Sequence, residues 1–161
     1  MRKSNWLLLT IILAILCFTI SCQCQKQDTE ADITSINGLY NQNTLACSTG
    51  NVELYLSSFT EDAVVMPPGF PIMIGEEELR SQIKGLFGMF NLELPYTVDN
   101  VIVHGDWAYA RSSYLYSMTP KEGGETVTIA GKELDVIEKQ ADGSWKISIQ
   151  CYNFDAQLKG H

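Results

Sequence analysis

The chain has 161 residues, a length that fits one domain and leaves little room for a second. Nineteen acidic residues face eleven basic ones, and two of the basic ones, Arg2 and Lys3, stand at the extreme N-terminus. The rest of the chain is strongly acidic, which argues against nucleic acid as a partner.

The first residues read "MRKSNWLLLTIILAILCFTISC": two basic residues, an apolar run and small residues before a cysteine, the layout of a secretory signal. The run from Trp6 to Ile20 is shorter than the roughly 20 residues that span a bilayer, and no stop-transfer charges come after it. Its end, Ile20-Ser21-Cys22, resembles a bacterial lipobox. The resemblance implies a signal over residues 1–22, a lipid on Cys22 and a bacterial cell-envelope protein held to its membrane through that lipid. Gln23 in place of aspartate points to the outer membrane; cleavage as an ordinary signal would leave a secreted or periplasmic protein. Residues 23–30 are polar and read as a flexible tether, and residues 31–158 as the folded domain.

From Ala31 to Cys47, Ile33, Ile36, Leu39, Tyr40 and Leu45 recur at helical spacing. Gly50 can close that helix, and Asn51 caps a short second one in "NVELYLSSF". Phe59, Val64 and Val65 continue into an extended piece, and the prolines of "MPPGFP" forbid regular structure. Glu76, Glu77 and Glu78 open a third helix whose apolar stripe is Leu79, Ile83, Leu86, Phe87 and Phe90. After Pro95 the pattern changes to period two, giving four strands: "YTVDNVIVH", "WAYARSSYLYSM", "ETVTIAGKELDVIEK" and "SWKISIQCYNF". In the third, Val127 and Ile129 differ in phase from Leu134 and Val136, which predicts a β-bulge at Gly131. Helices followed by an antiparallel meander define an α+β fold with the helices on one face of a curved sheet.

Of the five cysteines, Cys17 lies in the signal and Cys22 is the proposed lipid site. Two readings stand for Cys47 and Cys151: a disulfide, or buried free thiols. No cysteine pair has metal-ligand spacing, His104 and His161 are isolated, and no cofactor motif is present, so neither metal nor cofactor is expected.

The blocks "YNQNTLACSTGNVELYLSSFTEDAVVMPPG", "GEEELRSQIKGLF", "GDWAYARSSYLYSM", "GKELDVIEKQADGSWKI" and "YNFD" resemble, in order, the SnoaL-like branch of the nuclear-transport-factor-2-like superfamily, which also contains ketosteroid isomerases. The resemblance implies a cone-like fold, an apolar pocket between helices and concave sheet, and homodimers formed through sheet surfaces. The isomerase pattern lays Asn43 near a helix tyrosine and Pro67 near the proton-shuttling aspartate. Proline moves no proton, so isomerase chemistry of that type is disfavoured; Tyr40, one helical turn before Asn43, could serve as donor. The SnoaL-like pattern of an arginine, a lysine and an acid on successive strands is met by Arg111 and Lys132, with Gln150 where the acid stands. Lost with that acid is the obvious general base.

The expected site is therefore the polar end of an apolar cone. Gln150 and Tyr152 face the cavity with Arg111 and Lys132 nearby, Tyr40 reaches in from the helix, and Phe59, Met66 and Phe90 help to line it. The alternative for every strand aromatic is simple core packing. Three functions are expected, in this order: a lipid-anchored domain holding a small, largely apolar molecule; an isomerase-, cyclase- or hydrolase-type enzyme; and a dimeric protein-interaction module. A homodimer is expected through the face that carries Trp107, Tyr109 and Leu115.

Overall fold

A computed structural model of the chain describes residues 29–155. The signal segment 1–22 with Cys22, tether residues 23–28 and residues 156–158 lie outside the described residues. A compact unit begins at Ile33.

Helix α1 covers 29–49 and so already includes Thr29 and Glu30. Its buried face, Ile36, Leu39, Tyr40, Asn43, Ala46 and Cys47, matches the spacing of successive helical turns. Gly50 takes φ 63°, and Asn51 accepts the Leu54 amide at 3.0 Å to cap α2, Val52–Leu56. Strand β1 is Phe59–Met66, β2 is Met73–Ile74, and α3 is Glu76–Met89, which buries Leu79, Ile83 and Phe87. Then come β3 Phe90–Glu93, β4 Tyr96–His104, β5 Trp107–Pro120, β6 Val127–Lys139 and β7 Trp145–Phe154. The two short strands β2 and β3 are additions to the sequence reading; each pairs through only a few residues, too few to show a period.

The fold is α+β, with helices packed on a strongly curled sheet in a cone. Sheet order is β2-β1-β7-β6-β5-β3, and β4 also pairs with β5. One edge of β5 thus carries two strands in succession, β4 along Trp107–Tyr114 and β3 along Ser117–Pro120. All pairs are antiparallel except β1 with β7, the first and last of the described strands, which run parallel. The last strand lies inside the sheet, between β1 and β6.

The bulge anticipated at Gly131 is not found there. Pairing of β5 with β6 runs unbroken from Trp107↔Glu138 to Met118↔Val127, and Gly131 stands opposite Tyr114. A Cβ on Gly131 would lie 2.3 Å from the Tyr114 ring and 2.4 Å from the Asn153 carbonyl oxygen, so glycine is present to let the ring cross the strand. The bulge falls instead in β7, where Val136 pairs Ile149 and Ile137 pairs Ile147, leaving Ser148 extra. It switches the inward phase of β7: Trp145 and Ile147 enter the core before it, and Gln150 and Tyr152 turn inward after it.

Among the described residues no helix is long and apolar enough to cross a membrane, and no cluster of His, Cys, Asp and Glu is arranged to hold a metal ion.

Candidate functional site

A cavity of about 80 Å³ lies between α1, α2 and α3 and the concave sheet. Aliphatic side chains from α3, β1 and β3 form one side of it: Leu79, Ile83, Leu86, Val65 and Leu92. Tyrosines form much of the rest, with Tyr55, Tyr96, Tyr114, Tyr116 and Tyr152 all at its wall. Glu133 and Gln150 supply polar groups from the sheet, and Gln82 one from α3. Lys, Arg and His are absent from this lining among the described residues.

Glu133 belongs to a buried polar cluster, and β-sheet register explains how it forms. On β6 the residues Glu133, Asp135 and Ile137 point inward, while Lys132 and Leu134 point outward. Opposite them, β5 places Ser112, Ala110 and Ala108, whose small side chains leave room between sheet and helix. Tyr40 of α1 fills that room. Its hydroxyl donates to Asp135 Oδ2 at 2.6 Å, Ser112 Oγ donates to Glu133 Oε1 at 3.2 Å, and Gln150 Nε2 makes a long contact with Glu133 Oε2 at 3.5 Å. Asp135 is completely buried, and among the described residues no cation pairs with it or with Glu133.

Burial governs how the two acids titrate. Desolvation first, and the neighbouring Asp135 charge second, hold the Glu133 carboxyl well above the usual range. Burial also raises Asp135, to about 6, while hydrogen bonds from Tyr40, Glu133 and Gln150 work in the opposite direction. Two anions side by side in a dry site repel, so the pair favours sharing one proton between Glu133 and Asp135 and carrying one negative charge. Asp135 Oδ1 has no hydrogen-bond partner, and a proton shared with Glu133 would stabilise the pair. Tyr40 is held far above its ordinary pKa by burial and then by Asp135, so it stays a donor. One turn further along α1, Asn43 is fully buried with neither amide atom hydrogen-bonded.

The residues expected at the site divide into three groups. Gln150 and Tyr152 line the cavity, and Tyr40 lies behind Glu133 as the partner of Asp135. Phe59 is core, stacked on Tyr55 with ring centroids 5.3 Å apart, and half-buried Met66 and Phe90 are not part of the lining. Arg111 and Lys132 do not join Gln150. They stand on the outer face of the sheet, Arg111 3.8 Å from Asp99 and Lys132 paired with Asp155, because each lies one residue out of phase with the inward set. Of the two thiols, Cys47 is buried at the cavity wall, where desolvation pushes it up to about 12, and Cys151 is exposed; neither is in a disulfide.

Glu133, Asp135 and Ser112 were not singled out from the sequence. The available signal was the alternation of β5, in which Trp107, Tyr109 and Arg111 interleave with Ala108, Ala110 and Ser112. Small residues in one phase mark the side against which another element packs, and this assigns the inward phase of β6 to its acids.

Comparison with known proteins agrees with this architecture. A SnoaL-like domain family model matches residues 41–147, and the chain belongs to that family. Among solved structures, a ketosteroid isomerase-like protein from Erwinia carotovora atroseptica superposes with a TM-score of 0.70 at 25% identity, over 78% of this chain and 98% of that one. A nuclear transport factor 2-like superfamily protein from Salmonella enterica serovar Typhimurium gives 0.70 at 17% identity, over 83% and 99%. An NTF2-like protein with a cystatin-like fold from Novosphingobium aromaticivorans also gives 0.70 at 17%, over 86% and 89%. The last two likenesses speak for the fold alone. No match was found among functionally curated proteins.

Proposed function

We propose that this domain binds a small, largely apolar molecule in the cone, with a polar group of that molecule held at Glu133 and Gln150. The observation that supports this most directly is a cavity whose walls are mostly aliphatic and aromatic, with Glu133 and Gln150 together on the sheet side. In this reading a lipid on Cys22 fixes the protein to the cell envelope, in the outer membrane, and two copies associate through the outer sheet face. That face exposes Trp107 at 51%, Leu115 at 52% and Leu134 at 50%, with Tyr109 beside them.

Native mass spectrometry of the purified protein, followed by organic extraction, tests the binding. A small molecule released from wild type and missing after Val65→Trp, which fills the cavity, is the expected result. An empty wild-type protein that also fails to take up small apolar compounds counts against the reading. Cys22→Ala should change processing and membrane partition, and light scattering of the lipid-free domain should give a dimeric mass at micromolar concentration.

The carboxyl pair supports a second reading, an enzyme that moves a proton on its bound molecule. Pro67 offers no base, but Glu133 reaches the cavity from β6 and shares its proton with Asp135. Turnover of a carbonyl compound that disappears in Glu133→Gln while binding persists would establish it.

A further inference from the structure

The cavity combines two features that are independent of each other. Tyrosine rings supply several of its walls, and a ring presents negative electrostatic potential at its face. The single kind of charged group at its wall is an acid, Glu133, and the pair behind that wall holds one buried negative charge. Among the described residues no basic side chain lines the cavity, and Arg111 is paired with Asp99, Lys132 with Asp155 and Arg80 with Glu53 and Glu76. An uncompensated charge in such surroundings is costly, and a cation brought by a ligand would relieve that cost.

We propose that the polar group of the bound molecule is a cation, and that the cavity is a site for a small organic ammonium ion whose apolar body packs against the aliphatic wall. This rests on the reading of the cone as a small-molecule site and adds the chemical class. Desolvated aromatic faces attract an ammonium group, and Glu133 accepts its N–H bonds. The pair adapts without gaining or losing a proton. As the ammonium approaches, the proton that the pair shares settles on Asp135, which leaves the carboxylate on Glu133 beside the cation and a neutral acid on Asp135. Tyr40 remains hydrogen-bonded to Asp135 Oδ2 in both arrangements. The total charge of the pair is unchanged, and the charge moves to the residue that touches the ligand.

Benzylammonium and benzyl alcohol have nearly the same shape and differ in charge. Both are titrated into the full chain in detergent, with tyrosine ring resonances and calorimetry as readouts, in high salt to screen the chain's overall negative charge. The cation should bind about tenfold or more tightly than the alcohol. Glu133→Gln keeps the shape and leaves the buried charge on Asp135, away from the cavity wall, so it should erase the preference and retain the alcohol. Equal or tighter binding of the alcohol to wild type overturns the ammonium assignment and leaves the small-molecule reading intact. A cation preference that survives Glu133→Gln in a folded variant overturns it as well. If neither compound binds at millimolar concentration, the site reading and the ammonium assignment fall together.

Discussion

The two faces of β6 carry chemistry opposite to what solvent would select. Its inward face presents Glu133 and Asp135, and its outward face presents Leu134, half exposed, beside Lys132. Lys132 and Asp155 pair in water, where such a contact contributes little, whereas Glu133 and Asp135 face each other without a cation and must share a proton. The contrast teaches that polarity along a strand does not by itself identify the core side. An acid pair can occupy the inner face when small partners on β5 and a helix tyrosine make a place for it, and apolar residues can remain outside where another surface could cover them.

The sharpest way to break this comparison is to truncate one residue on each face. Ile137→Ala, at a completely buried position, should destabilise the domain by about 2–5 kcal/mol, while Leu134→Ala on the same strand should stay within about 0.5 kcal/mol in the monomer. Similar denaturation midpoints for the two variants would mean that the faces are misassigned. Gly131→Ala places a methyl against the Tyr114 ring and the Asn153 carbonyl, and should cost about 3 kcal/mol by chemical denaturation. Gly131→Ala combined with Tyr114→Ala should recover part of the loss, because one of the two clashing groups has gone.

The titration of the inner pair gives a smaller effect with a definite sign. Asp135 holds its proton up to about pH 6 in the folded chain, against an ordinary value of 3.8, so folding takes up a proton between those limits. Stability contributed by that proton is present below pH 4 and is lost as pH rises toward 6, and Glu133, also raised, adds to the loss in the same direction. Asp135→Asn should flatten this part of the profile. Tyr40→Phe removes the donor that favours the Asp135 anion, so it should carry the fall to higher pH and cost about 1–3 kcal/mol near neutrality. Melting temperatures of the three proteins from pH 4 to 8 decide the matter; parallel curves would rule out a proton shared within the pair. The smallest effect belongs to the outer face: Arg111→Ala and Lys132→Ala should each change stability by no more than about 0.5 kcal/mol and leave small-molecule binding unaltered.

Much of the architecture was legible in residue order. Helical spacing from Ile36 to Cys47, the Asn51 cap, the acidic first turn of α3 and the period-two runs after Pro95 are local patterns, and local patterns arise from backbone geometry and burial of one side. The order and spacing of the same blocks carried the family. Gln150 and Tyr152 were placed at the cavity by that resemblance, and the structure puts them there.

What tertiary structure alone decided is which phase of each long strand faces in. Alternation defines two faces without labelling them, and a one-residue change exchanges them. The phase change from Val127 and Ile129 to Leu134 and Val136 predicted a bulge at Gly131, and the family resemblance put Arg111 and Lys132 near Gln150. The chain instead keeps one phase through Gly131, because the Tyr114 ring occupies the space a side chain there would need, and switches phase at Ser148 in the next strand. Neither cause is local: the ring comes from β5, and the parallel β1 that borders β7 is the first of the described strands, ending at Met66 where β7 begins only at Trp145. The pairing of Tyr40 with Asp135, 95 positions apart, has the same origin, since only the packing of α1 over small residues on β5 brings that hydroxyl to that acid.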